Sequence, residues 1–171
     1  MGEFFRVLTD NHELFVDGFT NTLKLFLISA VGSLTLGTVL GSMRISPVPA
    51  LRAFGATYVN LIRNTPLTLV FAFLVFAVPK LDVNIDYFPS ACVALIVYTS
   101  AFICEVVRSG VNTVPAGQAE AARAIGMTFD QVLVSIVLPQ ALRAMVPPMM
   151  SVMIAMLKNS WPVALVSLRG G

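Results

Sequence analysis

The chain has 171 residues, 57% of them hydrophobic and 12% charged, with a formal net charge of +2 and a mean hydropathy of +0.84. That is too apolar and too charge-poor for an ordinary soluble domain, and uncharged runs of span length make it an all-α, polytopic helical membrane protein. No basic stripe interleaved with aromatics is present, which excludes a nucleic-acid partner.

Residues 1–22 read as a polar leader, with Glu3, Asp10, Glu13 and Asp17 set against Arg6. Acids rather than bases precede the first apolar run, so no secretory signal is apparent. His12 is the only histidine, and one imidazole does not make a metal or acid–base site. Leu25–Met43 is an uncharged run of 19 residues, long enough to span a bilayer. Lys24 at its outer end can snorkel to the headgroups. Ser29, Ser33, Gly37 and Gly41 recur along it every four residues, a stripe that lets another helix come close.

Arg44, Arg52 and Arg63 punctuate the next stretch, and Pro47 and Pro49 break it. Ala53–Ile62 is amphipathic and is expected to lie along the interface. Pro66–Val78 is apolar but only 13 residues long. It gains length from residues before Pro66, which puts a break near Asn64–Pro66. Irregular backbone at that depth is tolerated only beside protein or a watery cavity.

Lys80, Asp82 and Asp86 mark an acidic connection to Tyr87–Cys104, the third uncharged span. Glu105 and Arg108 follow one turn apart, either as an ion pair that fixes helix depth or as part of a gate. Cys92 and Cys104 lie about 18 Å apart on that helix. They cannot bridge and read as small core residues.

Val114–Pro148 is a polar-to-amphipathic insert. Pro115 suits the first turn of a helix, alanines carry it to Ile125, and Gly126 offers the left-handed position that ends it. Thr128 and Gln131 make a capping box for a second helix, whose Val132, Leu133, Ile136 and Val137 share one stripe. Pro139 is expected to stop or kink it. The product is an elbow able to fit a groove on a partner. Ala144–Leu157 and Trp161–Leu168 then form a fourth apolar region, interrupted by Lys158, Asn159 and Ser160. Lys158 either lines an aqueous path or snorkels from a span that ends at Leu157. The arginines of residues 44–63 and Arg108, Arg123 and Arg143 around the elbow place both segments inside and the N-terminus outside.

Glu120-Ala121-Ala122, then Gly126, Ile136 and Leu138-Pro139 have the spacing of the EAA loop (114–148). The chain from about Phe19 to Ser160 thereby resembles permease subunits of binding-protein-dependent ABC importers. Gly117-Gln118, Arg63-Asn64-Thr65-Pro66 and Lys158-Asn159-Ser160 are similar to its polar amino-acid (His/Glu/Gln/Arg/opine) branch, in wording nearest to actinobacterial glutamate permease subunits. The resemblance implies a type I ABC importer transmembrane domain over 19–168, with a short tail at 169–171. It implies a coupling role for Gly117, Gln118, Glu120, Ala121, Ala122, Gly126, Leu138 and Pro139. A separate ATPase subunit, a second permease, an extracytoplasmic solute-binding protein and a bacterial cell membrane are implied with it. The serine–glycine stripe then reads as a seam within the permease pair.

The chain carries no G-x-x-x-x-G-K-[ST] phosphate loop, nucleophile elbow or zinc helix. It is therefore expected to be no enzyme, to need no cofactor or metal, and to draw its energy from another polypeptide. Arg63, Asn64, Thr65, Lys158, Asn159 and Ser160 are candidate pathway residues. Arg63 would clamp an amino-acid carboxylate, or simply anchor its helix at the cytoplasmic face. The basic set leans toward glutamate or aspartate, with glutamine as the alternative. Family members run on past the lysine motif into a final span. The fold is thus expected to be C-terminally short, with about four spans plus the elbow, and a truncated, non-functional fragment is the alternative reading.

Overall fold

The computed structural model describes residues 12–83 and 85–167, and every regular element among them is helical. The long helices are α1 (His12–Ile45), α2 (Pro49–Arg63), α4 (Tyr87–Asn112) and α7 (Leu138–Ser167). Shorter ones are α3 (Leu67–Ala72), α5 (Ala116–Ala124) and α6 (Phe129–Val132). Three stretches, Phe15–Ile45, Tyr87–Asn112 and Phe129–Ser160, are long and apolar enough to cross a membrane, and the bent pair Pro49–Arg63 plus Leu67–Leu81 meets the same measure only when its two helices are taken together.

The core is built around α4, which supplies Ala91, Cys92, Leu95, Ala101, Ile103, Cys104, Val106 and Val107 to the buried clusters. At one end these meet Leu25 of α1 and Met156 of α7. In the middle they meet Leu40 of α1 and Val59 of α2, and at the elbow end Ala141 and Met145 of α7. Both cysteines are buried and free, as small core residues.

Contacts along α1 and α4 advance together. Gly32 faces Ile96, Gly37 faces Ile103, and Gly41 faces Val107. The two helices are therefore parallel, and the chain between them must return across the bundle. It does so through α2 and α3, which meet at a 96° bend. Gly55 packs near Leu40 and Arg44, the Tyr58 hydroxyl bonds at Val97 and Ser100, and Leu67 and Phe71 pack on the far cluster. The break expected near Asn64–Pro66 is present. α2 does not merely lie along an interface: Gly55 and Val59 are buried against α1 and α4.

Three readings need correction. The Ser29–Ser33–Gly37–Gly41 stripe is not open to a second permease, because all four residues are buried within this chain and both glycines lie against α4. Of the expected leader 1–22, residues 12–22 are the first turns of α1, and residues 1–11 lie outside the described residues. Pro139 does not stop its helix. A wide π-helical turn at Leu133–Val137 precedes it, with Leu138 N–H bonded to Leu133 O, and α7 runs on through Lys158–Ser160 to Ser167. The wide turn takes up the place where proline brings no N–H and crowds the preceding turn.

Candidate functional site

The elbow is a set of local rules satisfied in succession. Pro115 stands in extended conformation before α5. At the other end Gly126 has φ +90°, Met127 N–H bonds Ala122 O at 3.1 Å and Gly126 N–H bonds Arg123 O at 3.0 Å. That is a Schellman ending, which calls for glycine at the left-handed position. Thr128 N–H then donates to Gln131 Oε1 at 2.9 Å and Gln131 N–H to Thr128 Oγ1 at 3.4 Å, the reciprocal capping box that starts α6.

Very little of the elbow is used inside the chain. In α5 only Ala122 is buried, and the helix touches only α6 and the π turn to any extent. Gly117, Gln118, Glu120, Ala121 and Gly126 are exposed. Nothing lies within 4 Å of a Cβ built on Gly117 or Gly126. Ile125 and Phe129, two large apolar side chains that flank the bend, are 82% and 73% exposed. Leu138 and Pro139, at the head of α7, are also exposed.

A second feature lies between α4 and α7. A cleft of about 250 Å³ is lined by Tyr98, Thr99, Phe102, Val152, Ala155, Met156 and Asn159. The rings of Tyr98 and Phe102 pack 5.2 Å apart, and the Arg63 guanidinium sits 5.4 Å over Phe102, a cation–π arrangement. Of the six pathway candidates, Asn159 thus lines the cleft and Arg63 reaches its wall. The others are not gathered there. Asn64 and Thr65 bond back to Asn60 O and Leu61 O of the helix that precedes them. Lys158 is exposed, and Ser160 is buried with its hydroxyl on Leu157 O. An unbroken helix turns about 100° per residue, so three consecutive side chains cannot share one face. Tyr98, Thr99 and Phe102 were missed in the sequence. Their only signal is an aromatic i,i+4 pair, Tyr98 and Phe102, in a mostly apolar span.

Near the elbow end, Glu105 of α4 binds Arg44 of α1, and Arg108 Nη1 approaches its other oxygen at 3.4 Å. The expected i,i+3 pair is therefore present, but the Arg44 bond across 61 residues ties two helices together. The stem of Arg44 also packs on Gly55 of α2.

A bundle of membrane-length helices with one broken crossing and an exposed elbow defines a multi-pass membrane protein. The family model for binding-protein-dependent transport system inner membrane components matches residues 33–168, and the chain belongs to that family. It is a multi-pass permease chain of the ABC importer kind, not an enzyme. It is 40% identical to the probable glutamine ABC transporter permease protein GlnM of Bacillus subtilis over 154 residues, covering 90% of this chain and 71% of the relative. It is 44% identical to the glutamate transport system permease protein GluC of Corynebacterium efficiens over 151 residues, 81% of this chain and 66% of the relative. Among solved structures it resembles the crystal structure of an amino acid ABC transporter with histidines, with a TM-score of 0.87 and 29% identity over 95% of this chain and 76% of the other. The chain thus spans about two thirds to three quarters of the length of these proteins.

Proposed function

We propose that this chain forms part of the translocation pathway of an ATP-driven importer of a polar amino acid. It receives its drive from a separate cytoplasmic ATPase through α5. The observation that carries this reading is the elbow. A short alanine-rich helix, capped at its bend by Gly126, is held out from the bundle with Glu120, Ala121, Ile125 and Phe129 uncovered. Its two glycines leave room for a partner to approach. A helix laid in a protein groove uses such a small, open face.

Closure of the ATPase pair then moves α5, and the helices on either side, α4 and α7, rock with it. Those helices are the two that wall the cleft. Within it Tyr98, Thr99 and Asn159 offer hydroxyl and amide groups, and Arg63 stands at the wall. Among the described residues no carboxylate lines the cleft, which favours glutamate, aspartate or glutamine over a cationic amino acid. The two relatives described above, named as glutamine and glutamate permeases, point the same way. A second permease, identical or homologous, completes the pathway, and an extracytoplasmic binding protein delivers the solute. The arginine distribution supports an N-terminus outside, and the family supports a bacterial cytoplasmic membrane.

The test is uptake of radiolabelled glutamate in cells whose own permease is replaced by this chain, with unlabelled glutamate, glutamine and arginine as competitors. Competition by glutamate or glutamine but not arginine is expected, together with loss of uptake in Gly126→Asp at unchanged membrane level. Full uptake by Gly126→Asp refutes the coupling role, and competition by arginine refutes the substrate class.

A further inference from the structure

The elbow is joined to the helix that follows it by a contact between two side chains. Gln140, one residue beyond Pro139, donates its side-chain amide to Gln118 Oε1 at 2.6 Å and to Ile136 O at 2.9 Å. One NH₂ group has two donors, so both are engaged. Among the described residues this is the side-chain hydrogen bond that joins α5 to another element. Otherwise α5 meets the chain at α6 and the π turn.

Position gives the bond its meaning. The link between α5 and α7 along the chain runs through the left-handed Gly126, the four-residue α6 and the π turn at Leu133–Val137, then Pro139. These are the weakest points of a helical path, since glycine adds freedom and proline removes a backbone bond. A displacement of α5 sent only along that path would be absorbed in its bends. Gln140 spans all of them. It grips α5 at Gln118 on one side and braces the proline junction at Ile136 on the other.

We infer that Gln140 is a positioning residue for transport: with Gln118 it forms a strut that carries movement of the elbow helix directly into α7. The inference rests on the proposed docking of α5 on an ATPase, and it names how that push reaches the cleft helix. Its partner is Gln118, and the bond is polar but uncharged, so a salt bridge can stand in for it.

The test uses the importer reconstituted in proteoliposomes with its ATPase and binding protein, and it scores radiolabelled glutamate taken up per ATP hydrolysed. Gln140→Ala should lower that ratio about fivefold, the factor that one net hydrogen bond is worth, while the ATPase still co-purifies. Gln118→Ala should lower it as much, and the double variant no further, as expected when both act through one bond. Gln118→Glu with Gln140→Lys should restore it. Hydrogen exchange at Ala116–Ala124 in the isolated chain gives a second reading, with faster exchange in Gln140→Ala. An unchanged ratio in Gln140→Ala, multiplicative losses in the double variant, or unchanged exchange overturns the strut. Failure of the wild-type chain to hold an ATPase overturns the docking reading instead, and exchange still decides the bond.

Discussion

A Cβ on Gly37 would lie 2.6 Å from Ile103 Cβ and Cγ2 and 2.9 Å from the Ser100 carbonyl, whereas one on Gly117 or Gly126 would have nothing within 4 Å. The same residue type therefore serves opposite ends. In the seam between α1 and α4, glycine is there because the partner helix has already arrived. In the elbow the space is still open. Ser29 and Ser33 complete the seam at zero exposure, while Ile125 and Phe129 stand uncovered beside the bend. A seam closed within the chain answers to stability, and an open one answers to assembly. That difference can be broken by substitution.

The largest effect is expected at the seam. Gly37→Val drives a branched side chain into Ile103 and into backbone at Ser100, and overpacking of this kind costs about 3 kcal/mol. A sharply lower unfolding temperature of the detergent-solubilised chain is expected, and an unchanged one would mean that α1 and α4 do not pack as described. Glu105→Ala comes next. It leaves Arg44, whose side chain is 13% exposed, beside Arg108 without its shared carboxylate, a loss of about 2 kcal/mol once partial solvent access is allowed for. Its check is recovery of the melting temperature by Arg44→Glu with Glu105→Arg, which restores the pair but not its packing on Gly55. Thr128→Ala removes half of the capping box and should cost about 1 kcal/mol, visible as faster amide exchange over Phe129–Val132. Gly117→Val should change stability least, within about 0.5 kcal/mol, yet abolish capture of the ATPase. Retention of the ATPase there would place the docking face elsewhere.

The parts of this fold that were legible in sequence are those written in consecutive residues. Gly126, the Thr128–Gln131 box and the break before Pro66 each depend on local backbone chemistry, and each is found where the spacing puts it. The serine–glycine stripe shows the limit of periodicity. It says that some helix comes close, but not that the helix is α4 of the same chain. The Arg44–Glu105 bond leaves no local trace, since its partners are 61 residues apart. Lys158, Asn159 and Ser160 read as a polar unit because they are adjacent. A continuous helix instead sends Asn159 to the cleft, Ser160 into the core and Lys158 outward. The aromatic wall of that cleft is ordinary in composition for an apolar span, so only geometry marks it.

The parallel run of α1 and α4 has a bearing on how the protein enters its membrane. The crossing between them must be made by α2 and α3, yet the apolar part, Pro66–Val78, is far shorter than the roughly 20 residues that partition into lipid as a free helix. Its Leu67 and Phe71 pack on a cluster to which α4 gives Ala91, Cys92 and Leu95, residues synthesised after it. The packed form of the first half of the chain is therefore complete only once Tyr87–Asn112 has been made.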